Sequence, residues 1–149
     1  MLVPQAEYTD PATAAVFSPQ DAIRFECNGS PGIRLDRALN EDFGGMPDAN
    51  LVVQTTTRSQ KICLRINWPG YSFWSNHFNV NLASGHREKG KLAKSVAAQI
   101  QLCLTEMARV PCTSNGWEVS NVRLQDLILM EIQHVSRGSW QPVICRRVA

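Results

Sequence analysis

Residues 84–111 read SGHREKGKLAKSVAAQIQLCLTEMARVP, and the fold class turns on how this stretch is taken. Its first part, from Gly85 through Gly90 to Lys91, matches the phosphate-cradling loop G-x-x-x-x-G-K-[ST] at every position but the last. It also follows a predicted strand and opens a predicted helix, which is the setting such a loop needs. The final position, however, is Leu92, which has no hydroxyl to coordinate Mg²⁺. The strand feeding the loop, NHFNVNL, alternates polar and apolar residues, whereas the strands of nucleotide-binding α/β domains are buried on both faces. One helix also falls short of the repeated strand-helix units of a doubly wound domain. The stretch is therefore read as an amphipathic helix: Leu92, Val96, Ile100, Cys103, Met107 and Val110 recur every three or four residues, and Pro111 ends the run. Such a helix is expected to cover the dry face of a sheet.

The sheet is legible on both sides of it. Ala22–Glu26 alternates as a short strand, and the turn cluster NGSPG follows. GIRLDRALNEDFGG allows a short helix or structured loop. LVVQTTT from Leu51 is β-branched, and Ile62, Leu64, Ile66 and Trp68 alternate with polar partners, so Arg58–Lys61 is expected as a hairpin turn between two strands. Phe78, Val80 and Leu82 mark a third strand of this kind. Ile128, Met130 and Ile132 alternate with outward residues, and SRGS at 136–139 turns this run into WQPVICRRV. Pro142 suggests an edge position or a strand start for that last element. Strands, one long helix and a final hairpin give an α+β fold, an antiparallel or mixed sheet with one long helix packed on one face. Residues 1–20, with Pro4, Pro11 and Pro19, are expected as an extended N-terminal arm, and 21–149 as a single α+β domain.

Two surface features carry the functional expectations. WPGYSFWSNHF crowds Trp68, Tyr71, Phe73, Trp74 and Phe78 around a Pro69-Gly70 turn. Trp68 and Phe78 are in phase with their strands and are expected in the core. Tyr71, Phe73 and Trp74 lie in the connection, where they either close the end of the core or offer a contact surface. With Trp140 beside Pro142 in the last hairpin, they form the expected partner-binding set, and a homo-oligomer is the expected assembly. The second feature is the basic helix start. Arg87, Lys89, Lys91 and Lys94 sit at the positive end of the helix dipole, a misfit that keeps binding of an anion, including a nucleic-acid backbone, as the alternative.

Other chemistry finds little support. There is no G-x-S-x-G and no H-E-x-x-H, and Glu131 and His134, at odd spacing in a strand, would face opposite ways. Asp36, Glu41, Asp42 and Asp126 read as turn and cap residues. No catalytic residue, cofactor or metal site is expected: the five cysteines lack C-x-x-C spacing, and His77, His86 and His134 are not placed with them as zinc ligands usually are. The odd, scattered cysteines read as reduced thiols, which gives the sequon at Asn28-Gly29-Ser30 little weight. Fifteen Lys and Arg against thirteen Asp and Glu create no global field for nucleic acid or membrane. No window reaches the ~18 apolar residues of a membrane span, and the N-terminus lacks a signal-like pattern. A cytoplasmic or nuclear setting is expected.

From about residue 30 to 145, GIRLDRALNEDFGGMPDANLVV, KICLRINWPGYSFW, KLAKSVAAQI and LQDLILMEIQHVSRGSWQPVI resemble segments of a group of uncharacterised fungal proteins. The WPGY and GSWQP pieces are the most distinctive. The resemblance implies a single intracellular unit and carries no activity, ligand or site.

Overall fold

The computed structural model describes residues 1–11, 16–55, 61–79 and 86–147. Two regular layers make an α+β fold: a mixed sheet and one long helix. The strands are β1 (Ile23–Arg24), β2 (Glu26–Cys27), β3 (Ser30–Pro31), β4 (Ile33–Arg34), β5 (Val52–Gln54), β6 (Lys61–Ile66), β7 (Trp74–Asn79), β8 (His86–Glu88), β9 (Leu127–Ser136) and β10 (Ser139–Arg146). The helices are α1 (Leu35–Leu39) and α2 (Lys89–Met107). The main sheet is six-stranded in the order β1-β9-β10-β6-β7, with β4 also on β9. β10 runs parallel to β6, and the other pairings in this sheet are antiparallel.

One apolar side of α2 is buried, with Leu92, Ala93, Val96, Ala97, Ile100, Cys103 and Met107 facing inward. They meet Ile62, Leu64, Ile66, Leu127, Leu129, Ile132 and Ile144 of the sheet in one core cluster. Trp68 and Phe78 belong to that cluster, as their strand phase requires. Val110 lies past the helix end and is exposed. Burial pushes the Cys103 thiol far above its usual pKa, so it behaves as a small core hydrophobe.

Four expectations about the sheet are corrected. First, LVVQ does not form a hairpin with KICLRI. β5 pairs antiparallel with β8, and the pairing continues where Lys89 and Gly90 donate their N–H groups to the carbonyls of Leu51 and Ala49, each at 2.9 Å. The first turn of α2 has orphan N–H groups, and this segment supplies their acceptors. Residues 58–60 of the expected turn, and Val80 and Leu82 of the expected third strand, lie outside the described residues.

Second, the phase of β9 changes partway. Leu127 and Leu129 are fully buried, as is Ile132, whereas Ile128 and Met130 are only partly covered. Val143 opposes Glu131 but Ile144 opposes Leu129, so Met130 is an extra residue on β9. A bulge of this kind inverts the alternation for the rest of the strand. Gly32 lies against the same place: a Cβ there would stand 2.4 Å from Ile128 Cγ2 and 2.9 Å from Met130 Sδ.

Third, β10 is a central strand, not an edge, despite Pro142. Its pairing with β6 covers only Ser139 and Trp140. Beyond that point the first residues of the chain take over. Leu2 bridges Cys145, the Val3 N–H donates to the Ile144 carbonyl at 2.8 Å, and Arg146 N–H donates to the Met1 carbonyl at 2.7 Å. Pro142 falls where one neighbour gives way to the other, a place where a missing N–H breaks no ladder bond. Its carbonyl accepts from Gln5 Nε2 at 2.7 Å.

Fourth, Trp140 is fully buried and stacks on His134, ring centroids 4.7 Å apart. Its alternation places it beside Leu64 on the core face, so it offers no contact surface.

Candidate functional site

β6 leaves the sheet at Ile66, and Trp68-Pro69-Gly70-Tyr71 turns the chain back into β7. The Tyr71 N–H donates to the Trp68 carbonyl at 3.1 Å, and Gly70 has φ 86°, the values of a type II turn with Pro at its second position. A side chain at Gly70 is excluded twice over, by that backbone angle and by Cys112 Sγ, 2.4 Å from where its Cβ would be. The turn is clamped by the segment after α2. Thr113 N–H donates to the Gly70 carbonyl at 2.9 Å, and the Trp68 indole N–H donates to the Trp117 carbonyl at 2.8 Å.

This clamp decides the fate of each aromatic residue. Tyr71 folds back against the core, and its hydroxyl accepts the Val119 N–H at 3.2 Å. Its burial raises the phenol pKa. Trp74 begins β7 and is half-buried, with its indole N–H donated to the Glu106 carboxylate on the last turn of α2. Phe73 stays 49% exposed and meets the Tyr8 ring in a T-shaped arrangement, centroids 6.4 Å apart. Together they wall an open groove of about 550 Å³. Its far side is formed by Glu106, Met107, Val110 and Pro111. Of the expected partner-binding set, the structure thus brings Tyr71, Phe73 and Trp74 to one groove and leaves Trp140 in the core.

Nothing in the sequence pattern sets Glu106 and Val110 beside the aromatic turn. They lie more than thirty residues beyond the turn, and only the packing of α2 beside β7 unites them. The same packing sets Asn76 Nδ2 on Gln99 Oε1 at 2.7 Å, so α2 runs along β7. Leu102, 39% exposed, lies three residues past Gln99 and four before Glu106 on that side of the helix.

The basic helix start is largely neutralised. Lys89 is buried and paired with Asp48 at 2.7 Å, and Lys91 and Lys94 share Glu41, the latter at 3.2 Å. Those lysines, Lys91 foremost, hold the Glu41 carboxyl below its usual pKa. Three of the four cations at a positive dipole end, Lys89, Lys91 and Lys94, are thus answered by acids from the loop after α1, which resolves most of the misfit. Nor is the helix terminus open to a phosphate. Gly90 packs against the Phe43 ring, 3.0 Å from an added Cβ, and its N–H is taken by Ala49. Ser84 and Gly85, the start of the loop pattern, lie outside the described residues.

Arg87 differs from its neighbours. Its Nη1 donates to the Asn79 carbonyl at the end of β7, at 2.9 Å, and burial lowers its pKa. Among the described residues it has no carboxylate partner.

Other chemistry gains no site. Glu131 approaches Arg24 at 3.9 Å, while the His134 ring lies between Trp140 and Phe17, accepts the Gln20 N–H at 3.0 Å and contacts the Arg137 carbonyl. The described residues contain no group of three or more His, Cys, Asp or Glu placed to hold a metal. Among them no helix is long and apolar enough to cross a membrane. No protein-family model, curated protein or solved structure matches the chain.

Proposed function

We propose that this chain is a non-catalytic self-assembly module whose contact surface is the aromatic turn and the adjoining sheet edge. The observation that carries this reading is the position of Phe73. It is half-exposed on the lip of the groove, next to a strand, β7, that among the described residues pairs only with β6. An open edge and an exposed aromatic side by side are both disfavoured in a monomer, and one isologous contact covers both. Val110 and Leu102 extend the apolar surface along the same side. The five cysteines are free thiols, which accords with a cytoplasmic or nuclear setting.

Binding of an anion or nucleic acid through Arg87, Lys89, Lys91 and Lys94 has weaker support, since three of the four already face carboxylates. Light scattering across micromolar concentrations tests the main reading. Wild type is expected as a dimer or larger. Phe73→Asp should weaken association about tenfold or more while leaving circular dichroism unchanged. A wild-type mass of one chain throughout the range overturns it.

A further inference from the structure

The geometry points to a specific mode of assembly: two copies pair β7 with β7 antiparallel about a twofold axis, and Arg87 of each copy enters the aromatic groove of the other to meet Glu106. This rests on the preceding reading, that the chain self-associates through this edge, and adds the arrangement and the charge pair that fix it.

Backbone N–H and C=O groups of alternate residues in an antiparallel strand point to opposite sides. The Asn79 carbonyl is met by Arg87, away from β6, so Ser75, His77 and Asn79 direct their backbone groups to the open edge. Once Arg87 releases the Asn79 carbonyl to enter the partner's groove, those three residues can form an antiparallel ladder with the same three residues of a second copy, with His77 on the axis. Their side chains are exposed on the face away from the core, so the pairing buries no apolar group in the wrong place.

Charge sets the register. The start of β7 carries Trp74 and, bonded to it, Glu106; the end carries Asn79 and, bonded to it, Arg87. Antiparallel pairing about His77 lays the start of one strand beside the end of the other. Each carboxylate then faces the partner's guanidinium, twice per dimer. Parallel pairing would set like charges together. Neither residue forms an ion pair among the described residues, and Glu106 is the one charged member of the groove lining. A guanidinium suits the groove chemically, because its planar face stacks on Phe73 and Trp74 while its edge donates to the carboxylate. The Trp74 indole N–H is already donated to Glu106, which makes the ring face more attractive to a cation. The groove is ample for one arginine head. α2 runs along β7, so the same axis brings the two helices side by side, with exposed Leu102 one turn from Gln99 and near the axis.

Charge reversal tests this. Glu106→Arg and Arg87→Glu should each raise the dimer dissociation constant about tenfold or more. An equimolar mixture should dimerise again as a heterodimer, seen by native mass spectrometry, because each reversed residue then meets its opposite. The double variant E106R/R87E should dimerise as wild type does. Should Arg87→Glu fail to fold, the salt dependence of association decides. Added salt should weaken the wild-type dimer and have clearly less effect on Glu106→Gln. A wild-type dimer indifferent to Glu106→Arg and to salt overturns the pairing while leaving self-association intact. A wild-type monomer at every concentration overturns both.

Discussion

Gln5 Nε2 donates to the Pro142 carbonyl at 2.7 Å, joining the start of the chain to the middle of its last strand. Around that bond, Gln141 Nε2 reaches the Ala6 carbonyl and Gln141 Oε1 takes the Tyr8 N–H, both at 2.9 Å, while Ala6 N–H donates to Asn67 Oδ1 at 2.7 Å. The first eight residues fill the gap that opens where β6 and β10 part. Val3, 5% exposed, carries this segment into the core.

Val3→Asp should therefore act as a core substitution despite its place near the N-terminus. Burial of a valine is worth roughly 1.5–3 kcal/mol, and an unpaired carboxylate there adds a desolvation cost. Urea denaturation should show a loss of at least ~2 kcal/mol, whereas Glu7→Ala, at an exposed position, should change stability by less than ~0.5 kcal/mol.

Trp140 separates core from interface. Trp140→Ala should cost ~3–5 kcal/mol of folding stability, with loss of cooperative unfolding in a marginal chain. Trp140→Phe should cost clearly less, because the buried indole N–H that it removes has no acceptor among the described residues. Thermal melts of the two variants check the order. A Trp140→Ala chain that stays folded and merely dissociates would contradict its place in the core.

Gly70 and Gly29 both have positive φ, 86° and 76°, but different surroundings. Alanine at Gly29 meets nothing within 4 Å and should cost only the left-handed backbone penalty, ~1–2 kcal/mol. At Gly70 it also meets Cys112 Sγ and the Ser114 N–H, so Gly70→Ala should cost more and displace the aromatic turn. The difference between the two melting temperatures measures the clamp.

Acid should loosen the chain at α1 and at the start of α2. Arg34, by hydrogen bonding, holds the Asp36 carboxyl below its usual pKa, and Lys91 and Lys94 do the same for Glu41. A depressed carboxyl contributes stability that is fully present above its unfolded pKa, near ~4, and is lost as pH falls through the lower folded value. Stability should thus decline below about pH 5, and Glu41→Gln should flatten part of that decline. Salt should reduce the effect, since these pairs are exposed.

Magnesium-dependent turnover of ATP or GTP should be absent. Leu92 is fully buried and supplies no metal ligand, and the Gly90 N–H is committed to Ala49. Saturable hydrolysis abolished by Lys91→Ala would contradict this.

The sequence by itself determined the elements whose periodicity is local. The three- and four-residue spacing from Leu92 to Met107 specified α2, and alternation through Ile62–Trp68 specified β6 and its inward face. Gly and Pro marked the turns at Asn28-Gly29 and Pro69-Gly70, because only certain backbones accept them. Only the tertiary structure decided what those elements meet. A one-residue bulge at Met130 reversed a phase that alternation alone extends unchanged. Pro142 sits mid-sheet because residues from the other end of the chain complete its strand. The three lysines of the helix start looked unanswered because Glu41 and Asp48 lie some forty or more residues away from them. Trp74 and Glu106 meet across a gap of 32 residues. Propensity and period act over a few residues, whereas burial and charge are settled by whatever the fold brings within a few ångströms.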